Sequence, residues 1–326
     1  MPPPPLEIPG LDGLQRASFH KNGYLVIPNY LSQENLSTLL SETHHLLNEF
    51  DISTHPLTRF TTGDSPSDPE HVGDDYFLTS GDKIRFFFEP DAFQPPDPAH
   101  PNNPPTLTRA KHLAINKIGH SLHTLSPAFS DITLSPRNAA IAHDLNFRDP
   151  RVLQSMIICK QPGIGAAVPP HKDSEFLYTD PPSAVGWWIA LQDAGKGNGG
   201  LGMWKGSHRR GYVKRRFVRA EGGEGTEFIP WEGTGLASEL QEGDDGKGEV
   251  YTPRDEDFEL LDVKAGDLVL IHGNVLHKSE RNTSGQSRFA YTFHVIEGGK
   301  GWEYDGRNWL QPTGEEGFTK LFKGDY

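Results

Sequence analysis

The second half of the chain is built from short β-type runs broken by turn residues, and this pattern constrains the fold most. From residue 151 onward, segments rich in Val, Ile, Trp, Phe and Tyr recur between glycine and proline turns, as in VLQSMIICKQP, VGWWIALQDA and RFAYTFHVI. Many short strands with frequent turns are typical of a β-sandwich or a β-barrel. The sequence therefore predicts a mainly β fold with helices at its periphery.

The first 150 residues mix strand and helix signals. Residues 23–31 and 83–89 predict strands. Ser32 is a candidate N-cap for an amphipathic helix over 33–50, because leucines recur there at helical spacing. Residues 108–125 predict a second helix. In that helix His112, His120 and His123 would lie on a solvated face.

A length of 326 residues allows one large domain or two ordinary ones. We predict a single domain over 1–326, with helical support up to about 150 and barrel strands over about 151–300. Segments 54–73 and 90–107 are rich in Pro, Asp, Asn and Thr and predict loops. Eight glycines and many acidic residues at about 221–250 predict a mobile insert.

Charge and cysteine content narrow the class of protein. The 31 basic and 44 acidic residues give a net charge of −13, which argues against a nucleic-acid partner. Cys159 is the single cysteine, so no intramolecular disulfide forms.

No apolar run is long enough to span a bilayer, and neither a secretory signal nor a C-terminal Ser-Lys-Leu address is visible. We therefore expect a cytoplasmic protein without a membrane partner; its oligomeric state is unreadable from the sequence.

The segment PPHKDSEFLY places two metal-capable side chains, His171 and Asp173, two positions apart. Side chains with this spacing share one side of an extended segment. Two histidines and one carboxylate on one face of an octahedron bind non-haem iron and leave positions open for oxygen and a co-substrate. Far along the chain, AGDLVLIHGNVLHKSE offers His272 and His277 as the third ligand.

Eleven positions after His277, Arg288 opens the strand RFAYTFHVI. Arg288, Ala290, Thr292 and His294 would share one face of that strand. An arginine on an apolar inner face needs an anion, which a bound keto acid would supply through its carboxylate. A buried structural arginine paired with an internal carboxylate is the alternative.

A basic run, RRGYVKRRFVR at 209–219, interrupts this acidic chain. It is either a solvated strand or a patch that draws an anionic small-molecule substrate toward the metal.

Taken together, the pattern of H-x-D, a distant histidine and an arginine eleven positions later resembles the iron(II)/2-oxoglutarate oxygenases of the phytanoyl-CoA dioxygenase family. Long runs carry the resemblance: DYFLTSGDKIRFFFE, INKIGHSLH, QSMIICKQP, SEFLYTDP, LVLIHGNVLHKS, AYTFHVIE and NWLQPT. It implies a double-stranded β-helix of the jelly-roll or cupin class. The cofactors implied are iron(II), 2-oxoglutarate and O2.

The resemblance also assigns roles to individual residues. His171, Asp173 and His277 match the iron ligands, with His272 as the rival distal ligand. Arg288 matches the arginine that holds the distal carboxylate of 2-oxoglutarate. The remaining matches to the 2-oxoglutarate pocket are Ser279, Lys117, Met156 and Trp188.

Three functions stay open at this point. The first is a 2-oxoglutarate-dependent dioxygenase that hydroxylates a small molecule and releases succinate and CO2. The second is a metal-dependent cupin without 2-oxoglutarate chemistry, which has no need for Arg288. The third is a non-catalytic, ligand-binding relative.

Overall fold

The computed structural model describes residues 9–62, 72–95, 99–100, 103–209, 213, 215–230, 253–314 and 316–321. Most of the predicted insert at about 221–250 lies outside these ranges. Its described beginning, residues 221–230, ends in a strand that pairs with the preceding strand.

Strands outnumber helices in this part of the chain. The helices are α1 (Gly13–Asn22), α2 (Gln33–Glu49), α3 (Asp75–Leu78), α4 (Leu122–Leu125), α5 (Pro127–Thr133) and α6 (Pro136–Asp144). The strands are β1 (Tyr24–Ile27), β2 (Ile84–Phe88), β3 (Ile115–His120), β4 (Pro150–Lys160), β5 (Val168–His171), β6 (Thr179–Asp180), β7 (Val185–Ala190), β8 (Leu201–Met203), β9 (Arg215–Arg219), β10 (Thr226–Pro230), β11 (Glu259–Leu260), β12 (Leu268–His272), β13 (His277–Ser279), β14 (Arg288–Glu297), β15 (Glu303–Tyr304) and β16 (Thr319–Lys320). Short 3-10 helices lie at Pro90–Ala92, Lys111–Leu113, Asp173–Glu175, Ser207–Arg209 and Asp255–Asp257.

Two antiparallel sheets form the double-stranded β-helix. The major sheet has the order β1-β12-β7-β14-β4-β3-β2, with β16 also paired to β4. The minor sheet has the order β11-β8-β13-β5. β1, β2 and β3 come from the first 150 residues, so this part of the chain supplies sheet as well as helices. The mainly β, jelly-roll fold class expected from the sequence is confirmed.

Alternation along β14 creates two different environments. Tyr291 and Phe293 face the helices, where the Phe129 ring of α5 lies 4.6 Å from the Tyr291 ring. Arg288, Thr292 and His294 face the opposite way, into a cavity between the sheets. The shared face predicted from the sequence is therefore confirmed. A polar site can form on this face because the main apolar core lies on the other.

The helix predicted over 108–125 is wrong. Its centre forms β3, which pairs with both β2 and β4. Ile115, Ile118 and Leu122 mimic helical spacing, but β3 is nearly buried on both faces and therefore lacks the alternation of a half-exposed strand. His120 and His123 are consequently buried and do not form a solvated helix face.

Residue Ser32 caps α2, as the sequence predicts, by accepting a hydrogen bond from the Asn35 amide at 3.1 Å. We expect Ser32→Ala to lower the free energy of unfolding by about 0.5–2 kcal/mol, because an amide of the first turn loses its partner. Ser37→Ala, an exposed change inside the same helix, is the matched control and should be neutral or slightly stabilising. Urea denaturation measures both; equal stability of the two variants would contradict the capping role.

No helix among the described residues is both long enough and apolar enough to cross a bilayer.

Candidate active site

The three predicted ligands meet because β13 pairs with β5. In that antiparallel register His277 lies directly opposite His171. Asp173 follows β5 at the start of a 3-10 helix. β5 is the edge strand of the minor sheet, which is where Pro169 and Pro170 are tolerated despite lacking an amide donor. Among the described residues, this is the one group of three or more His, Cys, Asp or Glu side chains with metal-binding geometry.

The ligand atoms of this triad lie within 4.8 Å of one another. The Nε2 atoms of His171 and His277 are 3.6 Å and 3.7 Å from the same carboxylate oxygen, Oδ1 of Asp173. Each histidine directs its Nδ1 at a backbone carbonyl two residues earlier, Pro169 at 2.8 Å and Val275 at 3.2 Å. Because a carbonyl only accepts, each Nδ1 carries the proton and each Nε2 keeps its lone pair for a metal.

Burial sets the protonation state of the triad. Desolvation, followed by the neighbouring His171, lowers the pKa of His277 to about 4. Burial alone would raise the pKa of Asp173, but the His277 and His294 rings outweigh it and hold that pKa well below its usual range. A neutral imidazole and an ionised carboxylate are the forms that bind a divalent cation. The residues present therefore fit a mononuclear metal ion.

Unlike the triad residues, the rival ligand His272 belongs to a different cluster. It ends β12, its ring lies 5.0 Å from the His208 ring, and its Nδ1 accepts a hydrogen bond from the Asn274 amide at 3.0 Å. Burial lowers the pKa of His272 to about 3, so this ring is neutral. Its role is to hold the turn between β12 and β13.

A cavity of about 190 Å³ opens beside the triad between the two sheets. Every site residue predicted from the sequence lines it: His171, Asp173, His277, Arg288, Ser279, Lys117, Met156 and Trp188. The structure thus brings together residues from β3, β4, β5, β7, β13 and β14.

Arg288 is buried at 1% exposure and lines this cavity. Its Nη2 donates to the Gly199 carbonyl at 2.9 Å, while Nε and Nη1 have no hydrogen-bond partner among the described residues. Burial lowers the pKa of the guanidinium to about 10. No carboxylate within the described ranges forms an ion pair with it; the buried Glu89 carboxylate acts on it only through a longer-range electrostatic attraction.

Lys117 is a second, partly buried cation of the cavity wall. Its Nζ lies 3.5 Å from the centre of the Phe60 ring, and desolvation lowers its pKa to about 7. The ammonium is therefore only partly charged near neutral pH.

Sequence reasoning missed His294 as a site residue. Its Nε2 lies 3.3 Å from Oδ2 of Asp173, and its Nδ1 lies 3.4 Å from the amide nitrogen of Gln154. The amide nitrogen donates, so His294 accepts at Nδ1 and can donate its Nε2 proton to the carboxylate. Side chains alternate between the two faces of β14, so His294, six positions after Arg288, shares its face. This alternation could have identified His294 from the sequence.

The basic run at 209–219 does not form one patch. Arg216 is fully buried and contacts Asp305 at 2.5 Å, which fits neither of the two sequence readings for this residue. Arg215 lines the cavity but already pairs with Glu175 at 3.0 Å. Positions 210–212 and 214 lie outside the described residues.

A two-sheet β-helix whose cavity holds a His-Asp-His triad and a buried arginine defines a jelly-roll protein with a mononuclear metal site. The sequence pattern of the phytanoyl-CoA dioxygenase (PhyH) family matches residues 19–290. The chain belongs to this family of oxygenases.

Relatives match over nearly the whole chain. The chain is 41% identical to phytanoyl-CoA dioxygenase domain-containing protein 1 of Bos taurus, covering 94% of the chain and 97% of the relative. It is 40% identical to a phytanoyl-CoA dioxygenase of Arabidopsis thaliana, covering 90% and 91% respectively. The predicted family is therefore confirmed.

Solved structures share the fold at low identity. The non-haem α-ketoglutarate-dependent epimerase SnoN superposes with a TM-score of 0.56 at 15% identity, covering 96% of this chain and 93% of SnoN. EctD from S. alaskensis gives a TM-score of 0.52 at 18% identity, covering 88% and 77%. SnoN has been solved with Fe3+ and α-ketoglutarate, and EctD with 2-oxoglutarate. The cofactors predicted from the sequence are thus those of proteins with this fold.

Proposed function

We propose that this chain is an iron(II)- and 2-oxoglutarate-dependent dioxygenase that hydroxylates a small molecule and releases succinate and CO2. The observation that carries the proposal is Arg288, a buried guanidinium in the wall of the cavity that holds the metal triad, with two donor atoms that have no partner among the described residues. A cupin that binds a metal alone has no use for this arrangement, which costs stability unless an anion occupies it.

Different residues of the cavity would bind the metal and the co-substrate. His171 and His277 offer Nε2 lone pairs, and Asp173 offers its carboxylate. Arg288 binds the distal carboxylate of 2-oxoglutarate as a bidentate partner, with Ser279 beside it in the same wall. When bound, iron(II) and 2-oxoglutarate together supply the electrons that activate O2 for C–H oxidation.

The testing experiment measures 2-oxoglutarate consumption and succinate formation by the iron-reconstituted protein, with and without O2. We expect oxygen-dependent turnover, even uncoupled from a primary substrate, or tight binding of 2-oxoglutarate where turnover requires that substrate. Absence of both turnover and binding would favour the cupin or non-catalytic functions.

His294 positions the carboxylate of the metal site. We expect His294→Ala to weaken iron(II) binding by roughly 10–100-fold, because the Asp173 carboxylate loses the group 3.3 Å away that orients it. Anaerobic competition against a coloured chelator measures the dissociation constant.

His272→Ala is the matched control, since it removes a partly buried histidine outside the cavity. Iron affinity should be unchanged in that variant. Equal affinity in His294→Ala and the unmodified protein would contradict the positioning role.

A further inference from the structure

Two apolar clusters bound the cavity on different sides. Trp188, Leu201 and Ile271 belong to the cluster near Arg288. The other side is lined by aromatic rings, which we call the aromatic end: Phe60, Phe77, Phe176, Phe217 and Trp309. The second cluster includes none of the residues matched to the 2-oxoglutarate pocket, and of those matches Lys117 contacts it, at the Phe60 ring. The rest of this cluster is available to a primary substrate.

His120 lies at the aromatic end and far from Arg288. Along β4, Lys160 pairs with Arg288 whereas Ser155 pairs with His120. Five residues of strand separate the two positions, roughly 17 Å. The His120 ring packs 5.7 Å from the Phe77 ring and 5.2 Å from the Trp309 ring.

Ser80 fixes the tautomer of His120. The Ser80 hydroxyl lies 2.5 Å from the Phe77 carbonyl oxygen and 2.7 Å from Nδ1 of His120. The hydroxyl has one proton, and the carbonyl can only accept it. Both contacts are hydrogen bonds only when Nδ1 of His120 carries a proton and donates to Ser80.

Nε2 of His120 is then an acceptor without a hydrogen-bond partner among the described residues. The side chain is 1% exposed and lines the cavity. Burial, followed by the nearby Lys117, lowers the pKa of His120 to about 3, so the ring stays neutral at physiological pH. A buried acceptor of this kind discriminates strongly against ligands that cannot donate to it.

We propose that the aromatic end binds the primary substrate as an uncharged molecule with a flat apolar body and a hydroxyl or N–H group that donates to Nε2 of His120. This inference rests on the proposed function, because it takes the opposite side of the cavity as the 2-oxoglutarate site. The anionic substrate suggested by the basic run is disfavoured here, since Arg215 is already paired with Glu175.

The test uses two probes of nearly equal shape, indole with an N–H donor and benzofuran with an oxygen in its place. Calorimetry with the iron(II)-loaded protein and 2-oxoglutarate, kept anaerobic, measures their dissociation constants. We expect indole to bind at least about tenfold more tightly than benzofuran, a difference of about 1.4 kcal/mol.

His120→Phe removes the acceptor and keeps a ring, so the preference for indole should vanish while 2-oxoglutarate binds as before. Ser80→Ala leaves the His120 ring in place but removes the hydroxyl that holds the proton on Nδ1. This variant should therefore show a smaller preference for indole over benzofuran. In the unmodified protein loaded with diamagnetic zinc(II), histidine 15N shifts should show a protonated Nδ1 and an unprotonated Nε2 at His120.

Equal affinity for the two probes, binding of neither at millimolar concentration, a preference that survives His120→Phe, or a protonated Nε2 would each overturn the inference. Normal 2-oxoglutarate binding in those cases would leave the proposed function standing. Loss of 2-oxoglutarate binding in the unmodified protein would instead reject the proposed function.

Discussion

Replacing Arg288 with methionine should abolish the stabilisation of the protein by 2-oxoglutarate while leaving the ligand-free protein at least as stable as before. The guanidinium is buried with two donor atoms unpaired, which disfavours the folded state until an anion binds. Methionine fills a similar volume without a charge. Removing one partner of a buried charge pair costs about 2–5 kcal/mol of binding, so 2-oxoglutarate should bind roughly 30-fold more weakly or worse.

Thermal unfolding of the metal-loaded protein with and without 2-oxoglutarate measures this prediction. At a ligand concentration near 100 times the dissociation constant, the unmodified protein should gain about 2.7 kcal/mol and Arg288→Met almost nothing. Arg216→Met is the control, because its guanidinium pairs with Asp305 inside the protein. That variant should lose stability and keep its ligand response. A ligand response in Arg288→Met equal to that of the unmodified protein would contradict the proposed role.

The second large effect is expected for His171→Ala. Removing one of two imidazole ligands leaves Asp173 and His277 alone to hold the metal. Loss of an indirect partner of a metal ligand already costs 10–100-fold, so loss of a ligand should lower 2-oxoglutarate turnover by at least on the order of 100-fold.

Succinate formation at saturating iron measures this loss, and circular dichroism shows whether the variant is folded. Because His171 ends an edge strand and its side chain is partly exposed, the metal-free variant should remain folded. Turnover near that of the unmodified protein would remove His171 from the site and contradict its assignment as a metal ligand.

The pKa of Lys117 makes the cavity sensitive to pH. Its pKa of about 7 means that the ammonium gains charge as pH falls through neutrality. The unfolded lysine titrates near 10.4, so between pH 7 and 10 the unfolded state binds more protons than the folded state. The free energy of unfolding therefore increases with pH over this range because of Lys117. Lys117→Met should flatten this part of the stability profile, measured by urea denaturation at several pH values. An unchanged slope would contradict the low pKa.

Several features were readable from the sequence because they depend on neighbours along the chain. Alternation identified β14 and the shared face of Arg288 and His294, and Ser32 with its leucines identified α2. The triad and Arg288 were readable because their spacing matches a family pattern that the chain shares over residues 19–290. The division into one domain with a mobile insert stays a prediction.

Tertiary structure decided the features that depend on contacts between distant segments. β3 looked helical because burial on both faces removed its alternation, and only its pairing with β2 and β4 made it a strand. Arg216 and Arg215 are adjacent in a basic run, yet one pairs with Asp305 and the other lines the cavity. The tautomer of His120 depends on Ser80, forty positions earlier. The sequence alone determined which side chains are able to bind a metal or an anion, because that ability depends on residue type and spacing. Packing decided the orientation, protonation and partners of those side chains, because these depend on which distant groups share the cavity.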